Sequence, residues 1–108
     1  MQDESAFLAL TERVLDAIGS ALDAAESDVD WSENDGVLTI DCDGSRIIVN
    51  RHVPNRELWV AARSGGFHFR PQDGAWRDTR SGEELVRALR RLLQDQGVGP
   101  IDIPPLPT

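Results

Sequence analysis

Lysine is missing from this 108-residue chain, whose eleven basic side chains are all arginine. Without a lysine amine, neither Schiff-base chemistry nor a phosphate-loop mechanism is open to it. Cysteine occurs once, at Cys42, so no internal disulfide can form. A lone cysteine in a strand-like run reads as a small buried hydrophobe rather than a reactive thiol, and it suits a reducing compartment. The start, Met1-Gln2-Asp3-Glu4, is no basic leader, and no run approaches ~18 consecutive apolar residues. A cytoplasmic, soluble protein with no membrane association is expected. Internal repeats are absent too. What remains is 40% hydrophobic with three Trp and three Phe, which excludes wholesale disorder. The length leaves room for one two-layer core and excludes a large multidomain enzyme.

Positive charge is scarce in the first part of the chain. Residues 1–43 hold twelve acids against Arg13, whereas residues 44–108 hold seven acids and ten arginines. The net charge of -8 therefore conceals a dipolar molecule. Its negative part repels nucleic acid and anionic lipid and attracts cations or a basic patch on a partner.

Apolar residues at Phe7, Leu10, Val14, Ile18, Leu22 and Ala25 draw one stripe on a helix from Ser5 to Ala25, with Asp3 or Ser5 as its cap. At about 100° per residue, Glu12, Asp16 and Asp23 fall within roughly 40° of one another on the opposite face. The period then changes to two. Asp28–Ser32 alternates with Val29 and Trp31 inward, and Asn34-Asp35-Gly36 turns it into a strand from Val37 to Cys42. Asp43-Gly44 turns again into Arg46–Arg51. A fourth strand, Glu57–Ala61, follows the break at Pro54-Asn55. Ser64-Gly65-Gly66 leads to Phe67-His68-Phe69, and Asp73-Gly74 to a short run at Trp76. Ser81 and Glu84 have capping-box spacing ahead of Leu85, Leu89, Leu92 and Leu93, and Gly97 closes that helix. The fold expected is α+β: a two-layer sandwich of one antiparallel, five- to six-stranded sheet with the N- and C-terminal helices on one face. Residues 1–97 form the domain. The proline-rich tail, residues 98–108, either lies over the groove between the helices, as Ile101, Ile103 and Leu106 suggest, or is a loose end.

Two surfaces stand out. Glu12, Asp16, Asp23, Glu26, Asp28 and Asp30 form a contiguous carboxylate ridge if the first hairpin lies beside the first helix. Such oxygen ligands suit hard cations, and a merely solvated acidic face is the competing reading. On the sheet's open face, period-two counting gathers Ile48, Asn50 and His52, and separately Glu57, Trp59 and Ala61. Trp59 faces water if Leu58 and Val60 face the helices, and is core if the alternation is inverted. Neither Ser-His-Asp, Cys-His nor zinc-ligand spacing can be assembled around His52 and His68, and no glycine-rich phosphate loop is present. The chain is expected not to be an enzyme.

The runs Gly36-Val37-Leu38-Thr39-Ile40, Ile47-Ile48-Val49-Asn50-Arg51, Pro54-Asn55-Arg56-Glu57-Leu58-Trp59-Val60-Ala61 and Ser64-Gly65-Gly66-Phe67-His68-Phe69, with Trp76, resemble the bacterial branch of the frataxin family. The resemblance covers about Phe7 to Gln96. It implies an iron-binding protein of iron–sulfur cluster assembly that regulates the cysteine desulfurase, with iron donation as a further role. It places weak, surface-bound Fe²⁺ and Fe³⁺ on Glu12, Asp16, Asp23, Glu26, Asp28 and Asp30. It also places the desulfurase and scaffold-protein contact on Asn50, His52, Asn55, Glu57 and Trp59, which turns Trp59 outward. A monomer is expected, with iron-dependent oligomers as the alternative state. A metal-free acidic binding module, or a weak ferroxidase or iron-storage protein, are the alternative functions. Related bacterial proteins carry two consecutive acids where this chain has Gly19-Ser20, and another where it has Ala24. The ridge is correspondingly thinner, and Gly19 costs its helix about 1 kcal/mol relative to alanine with no gain visible in the sequence.

Overall fold

A computed structural model describes residues 3–25 and 29–108. In chain order the elements are α1 (Glu4–Ala24), β1 (Asp30–Asn34), β2 (Val37–Asp41), β3 (Arg46–His52), β4 (Glu57–Ala62), β5 (Gly65–Gln72), β6 (Ala75–Asp78) and α2 (Leu85–Asp95). The six strands make one antiparallel meander in sequence order.

Asp-Gly pairs set three of the turns. Asp35-Gly36, Asp43-Gly44 and Asp73-Gly74 all take positive φ, the backbone that a two-residue hairpin of right-handed twist requires. The first of them fixes Asn34 opposite Val37. That register carries β1 through Glu33 and Asn34, two residues beyond the Asp28–Ser32 strand expected from alternation alone. Glu26, Ser27 and Asp28 lie outside the described residues.

Alternation then decides the faces. Leu38, Ile40, Ile47, Val49, Leu58, Val60 and Phe69 are buried and form one cluster with Phe7, Leu10, Val14, Ile18 and Leu22 of α1 and Leu85, Ala88, Leu89, Leu92 and Leu93 of α2. Both helices thus cover the same face of the sheet, α1 towards β1 and α2 towards β6. Asp3 caps α1 by accepting from the Ala6 amide at 2.7 Å.

The second helix begins later than its capping-box spacing predicts. Its N-cap is Glu84, with no side-chain cap bond. Ser81 instead accepts from the Glu83 amide. The stretch is spent on a turn: the Asp78 carboxylate accepts from the Arg80 amide at 2.7 Å, Gly82 takes positive φ, and Arg77 bridges to Glu84. At the other end Gly97 does take the left-handed conformation, and the Val98 amide returns to the Leu93 carbonyl, closing the helix as a glycine cap does.

Beyond α2, Ile101 and Ile103 join the core. The Trp76 indole donates to the Pro107 carbonyl at 2.7 Å, and Thr108 reaches the Gly74 carbonyl.

Candidate functional site: an acidic edge and a stacked aromatic face

The acidic edge lies where α1 runs beside the edge strand β1. Glu12, Asp16 and Asp23 are exposed on the outer face of the helix. Strand β1 turns Trp31 and Glu33 towards α1, because they pair in register with the core residues Ile40 and Leu38. Asp30 therefore points to the other side of the sheet, opposite Asp41, whose carboxylate is held by Arg46 at 3.1 Å. Of the sequence-predicted ridge residues, the structure gathers Glu12, Asp16 and Asp23 on one surface and separates Asp30 from them. Glu26 and Asp28 lie outside the described residues.

Glu33 stands beside Glu12 and Asp16, a position sequence reasoning missed. The two-residue turn at Asp35-Gly36 was the available signal, since it fixes which way Glu33 faces. Its carboxyl is raised above the ordinary value by burial first, then by the charges of Asp16 and Glu12 and hydrogen bonding with Asp16, against the opposing charge of Arg51. The folded protein thus holds the Glu33 proton more tightly than the unfolded chain does. The stability this gives is fully present below the unfolded value near pH 4.5 and is lost as pH rises through the higher folded value. Glu33→Gln should therefore raise the melting temperature at pH 7 and lose that advantage below about pH 4. The gain is small, about 0.5 kcal/mol, because Glu33 is solvent-screened. Thermal unfolding across that pH range measures it, and a variant less stable than the parent at pH 7 would contradict it.

Trp31 crosses the middle of this edge. Its ring lies over Gly19, where a Cβ would stand only 2.6 Å from Cη2 and 2.8 Å from Cζ2. Its Nε1 donates to Asp23 Oδ1 at 2.8 Å. The mid-helix glycine is thus the seat of an indole. The carboxylates form two groups on either side of it, Glu12, Asp16 and Glu33 on one side and Asp23 on the other, rather than a continuous row.

The second surface is the open face of the sheet. Asn50, Trp59 and His68 stand side by side on β3, β4 and β5. Trp59 is sandwiched between two imidazoles: its ring stacks on His52 at 3.7 Å and 9° and on His68 at 4.3 Å and 6°. Leu58 and Val60 are buried beneath, so Trp59 does lie on the open side. Glu57 is only 3% exposed and keys the group. Its carboxylate accepts from Trp59 Nε1 at 2.9 Å and from Arg70 Nη2 at 2.7 Å, with His68 Nδ1 at 3.8 Å. Burial pushes the Glu57 carboxyl up, but the hydrogen bonds from Trp59 and Arg70 and the charges of Arg70 and His68 outweigh it, leaving it lowered. His52 Nδ1 is buried without a partner among the described residues. Asn55 is exposed in the β3–β4 turn, at the rim rather than in the stack. Neither His68 nor Arg70 was among the partner-surface residues expected from the sequence. The pairing of His68 with Trp59 across the Ser64–Gly66 turn was the readable signal.

Among the described residues no three His, Cys, Asp or Glu side chains converge as a metal cage. Any cation taken here is bound openly, by few ligands and by water, as hard cations on surface carboxylates are. Cys42 is buried, and burial first, then the charge of Asp41, raises its thiol, which fits a packing role. No helix among the described residues is long and apolar enough to cross a membrane.

Comparison with known proteins agrees with this architecture. A family model described as a frataxin-like domain matches residues 1–98. The iron–sulfur cluster assembly protein CyaY of Paraburkholderia phymatum is 44% identical over 103 residues, covering 94% of this chain and 98% of that protein. The protein of the same name from Ralstonia pickettii is 50% identical over 99 residues, covering 86% and 87%. The solved frataxin of Psychromonas ingrahamii superposes with a TM-score of 0.89 at 27% identity, covering 95% of this chain and 99% of that one. With two helices on one face of a six-stranded meander and a family match across nearly its whole length, the chain belongs to the frataxin family.

Proposed function

We propose that this chain serves iron–sulfur cluster assembly as an iron-binding regulator. Its acidic edge takes up ferrous and ferric ions from solution and docks on a basic groove of the cysteine desulfurase, and its open sheet face meets the scaffold protein. The observation that carries the reading is the crowding of Glu12, Asp16 and Glu33, close enough for the first two to raise the third, in a chain whose relatives are named as iron–sulfur cluster assembly proteins. Carboxylate oxygens are the donor type that iron and other hard cations prefer. The same negative potential steers a basic partner, so metal and desulfurase compete for the same carboxylates.

Amide NMR tests both surfaces in one series, first with anaerobic ferrous iron and then with the desulfurase. Expected are early changes at Glu12, Asp16, Asp23 and Glu33 in the first titration, and overlapping ones in the second. Affinity for the desulfurase should fall by about tenfold or more between roughly 50 and 300 mM salt, because the contact is made by exposed charges. An affinity indifferent to salt would sink the electrostatic docking. Silence of those four residues towards substoichiometric iron would leave a metal-free acidic module instead.

A further inference from the structure

Strand β5 is longer than the strand that covers it. Its outer edge pairs with β6 only from Phe69, opposite Asp78, to Gln72, and one further bond carries the Thr79 amide to the His68 carbonyl at 2.9 Å. That bond fixes the sense of the edge, because backbone groups alternate sides along an antiparallel strand. Those of His68 point away from β4, and so do those of Gly66. Among the described residues no strand continues the pairing there, since the chain leaves the sheet for the turn into α2. Gly66 is exposed, and an added Cβ would meet only the Val60 carbonyl oxygen, at 4.0 Å, so its peptide has no side-chain cover either. An open N–H and C=O at a sheet edge is a template for another extended chain.

The turn leaves a recess of about 310 Å³ beside that peptide, with Phe67, Thr79, Arg80, Ser81 and Arg91 in its walls. Those walls are firm. The buried Asp78 carboxylate accepts from the Arg80 and Ser81 amides at 2.7 and 3.4 Å. Arg91 donates twice to Glu83, at 2.9 and 3.3 Å, and lies over the Phe67 ring at 5.6 Å. Both carboxylates of the recess are thus engaged, whereas the exposed Arg80 side chain has no ion pair among the described residues. Five of the eleven arginines fall within residues 77–91, at the edge of the sheet opposite Glu12, Asp16 and Glu33. A segment bearing carboxylates is therefore drawn to this end of the molecule and repelled from the other.

We propose that the Gly66 edge and the Arg80–Arg91 recess form a docking site for an extended acidic segment of a partner protein. The segment adds beside β5, exchanging hydrogen bonds with the Gly66 N–H and C=O, and one of its carboxylates meets Arg80. Extended peptides take sheet edges through main-chain bonds and gain selectivity from pockets beside the edge, and the planar fork of arginine matches a carboxylate. A phosphate backbone would be attracted by Arg80 but has no use for a peptide edge, and a net charge of -8 opposes a long polyanion. His68 joins the recess to the open face, so a partner seated there lies next to it. The inference does not depend on the iron or desulfurase reading of the acidic edge.

The probe is the end-blocked pentapeptide Asp-Val-Glu-Val-Asp, titrated into the full chain and followed by amide and arginine Nε–H resonances. Expected are a downfield shift of the Gly66 amide proton, shifts at Thr79, Ser81 and the Arg80 Nε–H, and none at Glu12 or Asp16. The Gly66 amide should also gain protection from solvent exchange in the bound chain. Arg80→Ala should weaken binding about 3- to 5-fold with the melting temperature unchanged. Gly66→Pro, which removes an edge donor that no strand uses, should weaken it as well. The neutral peptide Asn-Val-Gln-Val-Asn should bind more weakly and lose the salt dependence of the acidic one. A silent Gly66 at millimolar acidic peptide, equal binding of the neutral peptide, or undiminished affinity in Arg80→Ala overturns the proposal. So does tighter binding of an oligothymidylate than of the peptide at the same residues, which would make the recess a phosphate site.

Discussion

Removing residues 98–108 is expected to lower the stability of the domain by about 3–5 kcal/mol, roughly 15–25 °C in melting temperature. The prolines of this segment allow a loose end, but Ile101, Ile103 and Leu106 point to packing, and the segment's burial accords with that: Ile101 is 1% and Ile103 4% exposed, and Val98 is 9% exposed. Burying one such side chain contributes about 1.5–3 kcal/mol. Cutting the segment away also bares the core residues it covers. Trp76, itself 2% exposed, would lose the Pro107 carbonyl that accepts its Nε1 proton, and with water taking that place the lost bond costs only about 0.5–1.5 kcal/mol. Ordering eleven residues opposes these gains, so the expected loss is well below their sum. Urea unfolding of the truncated chain beside Ile101→Ala and Ile103→Ala separates the contributions, each point substitution costing about 2–4 kcal/mol. A truncated chain with an unchanged midpoint would make the tail an accessory to the fold rather than part of its core.

The tail shows where the sequence was readable and where it was not. Periodicity located both helices and the strand order, because the core stripe of α1 and the alternation of β2 to β4 are each carried by many residues of one kind. The Asp-Gly turns were equally plain, since only a positive-φ backbone uses that pair so repeatedly. What failed were inferences resting on one local signal with a tertiary competitor. Ser81 and Glu84 have the spacing of a capping box, but the buried Asp78 takes the Ser81 amide that Glu84 would reach, together with that of Arg80, for a turn. Asp30 is an acid in the edge strand, yet strand register, not composition, decides that Glu33 rather than Asp30 faces the helix. Gly19 looked like a cost without a return because its return is a side chain twelve residues away. The open face was half legible: alternation placed Trp59, whereas the sandwich between His52 and His68 depends on cross-strand pairing through two different turns.

Trp59→Ala is expected to weaken binding of the scaffold protein by about 30-fold, some 2 kcal/mol, the scale of an aromatic hot spot. The physical case begins with order. Trp59 is held on both faces by imidazoles and at its nitrogen by Glu57, so little conformational entropy is lost when a partner covers it. Because both ring faces and the N–H are already used, a partner can approach only the ring edge, with Asn50 beside it. Substitution also removes two stacking contacts and one acceptor bond of Glu57, so a modest fall in melting temperature accompanies it. Two further variants distinguish docking from folding. Arg70→Ala strips Glu57 of its charged partner while leaving the stack, and should cost stability more than binding. His68→Ala frees one face of the indole and should weaken binding by loosening Trp59, with the ring still present. Acid offers an independent check, since the lowered Glu57 carboxyl contributes stability that is present above its unfolded value, near pH 4.5, and is lost as pH falls through the folded one. Calorimetric titration of the scaffold protein with the parent and the three variants reads the binding terms, and thermal unfolding the rest. Equal affinity of Trp59→Ala and the parent would remove the open face from the docking surface and leave the acidic edge as the remaining candidate contact.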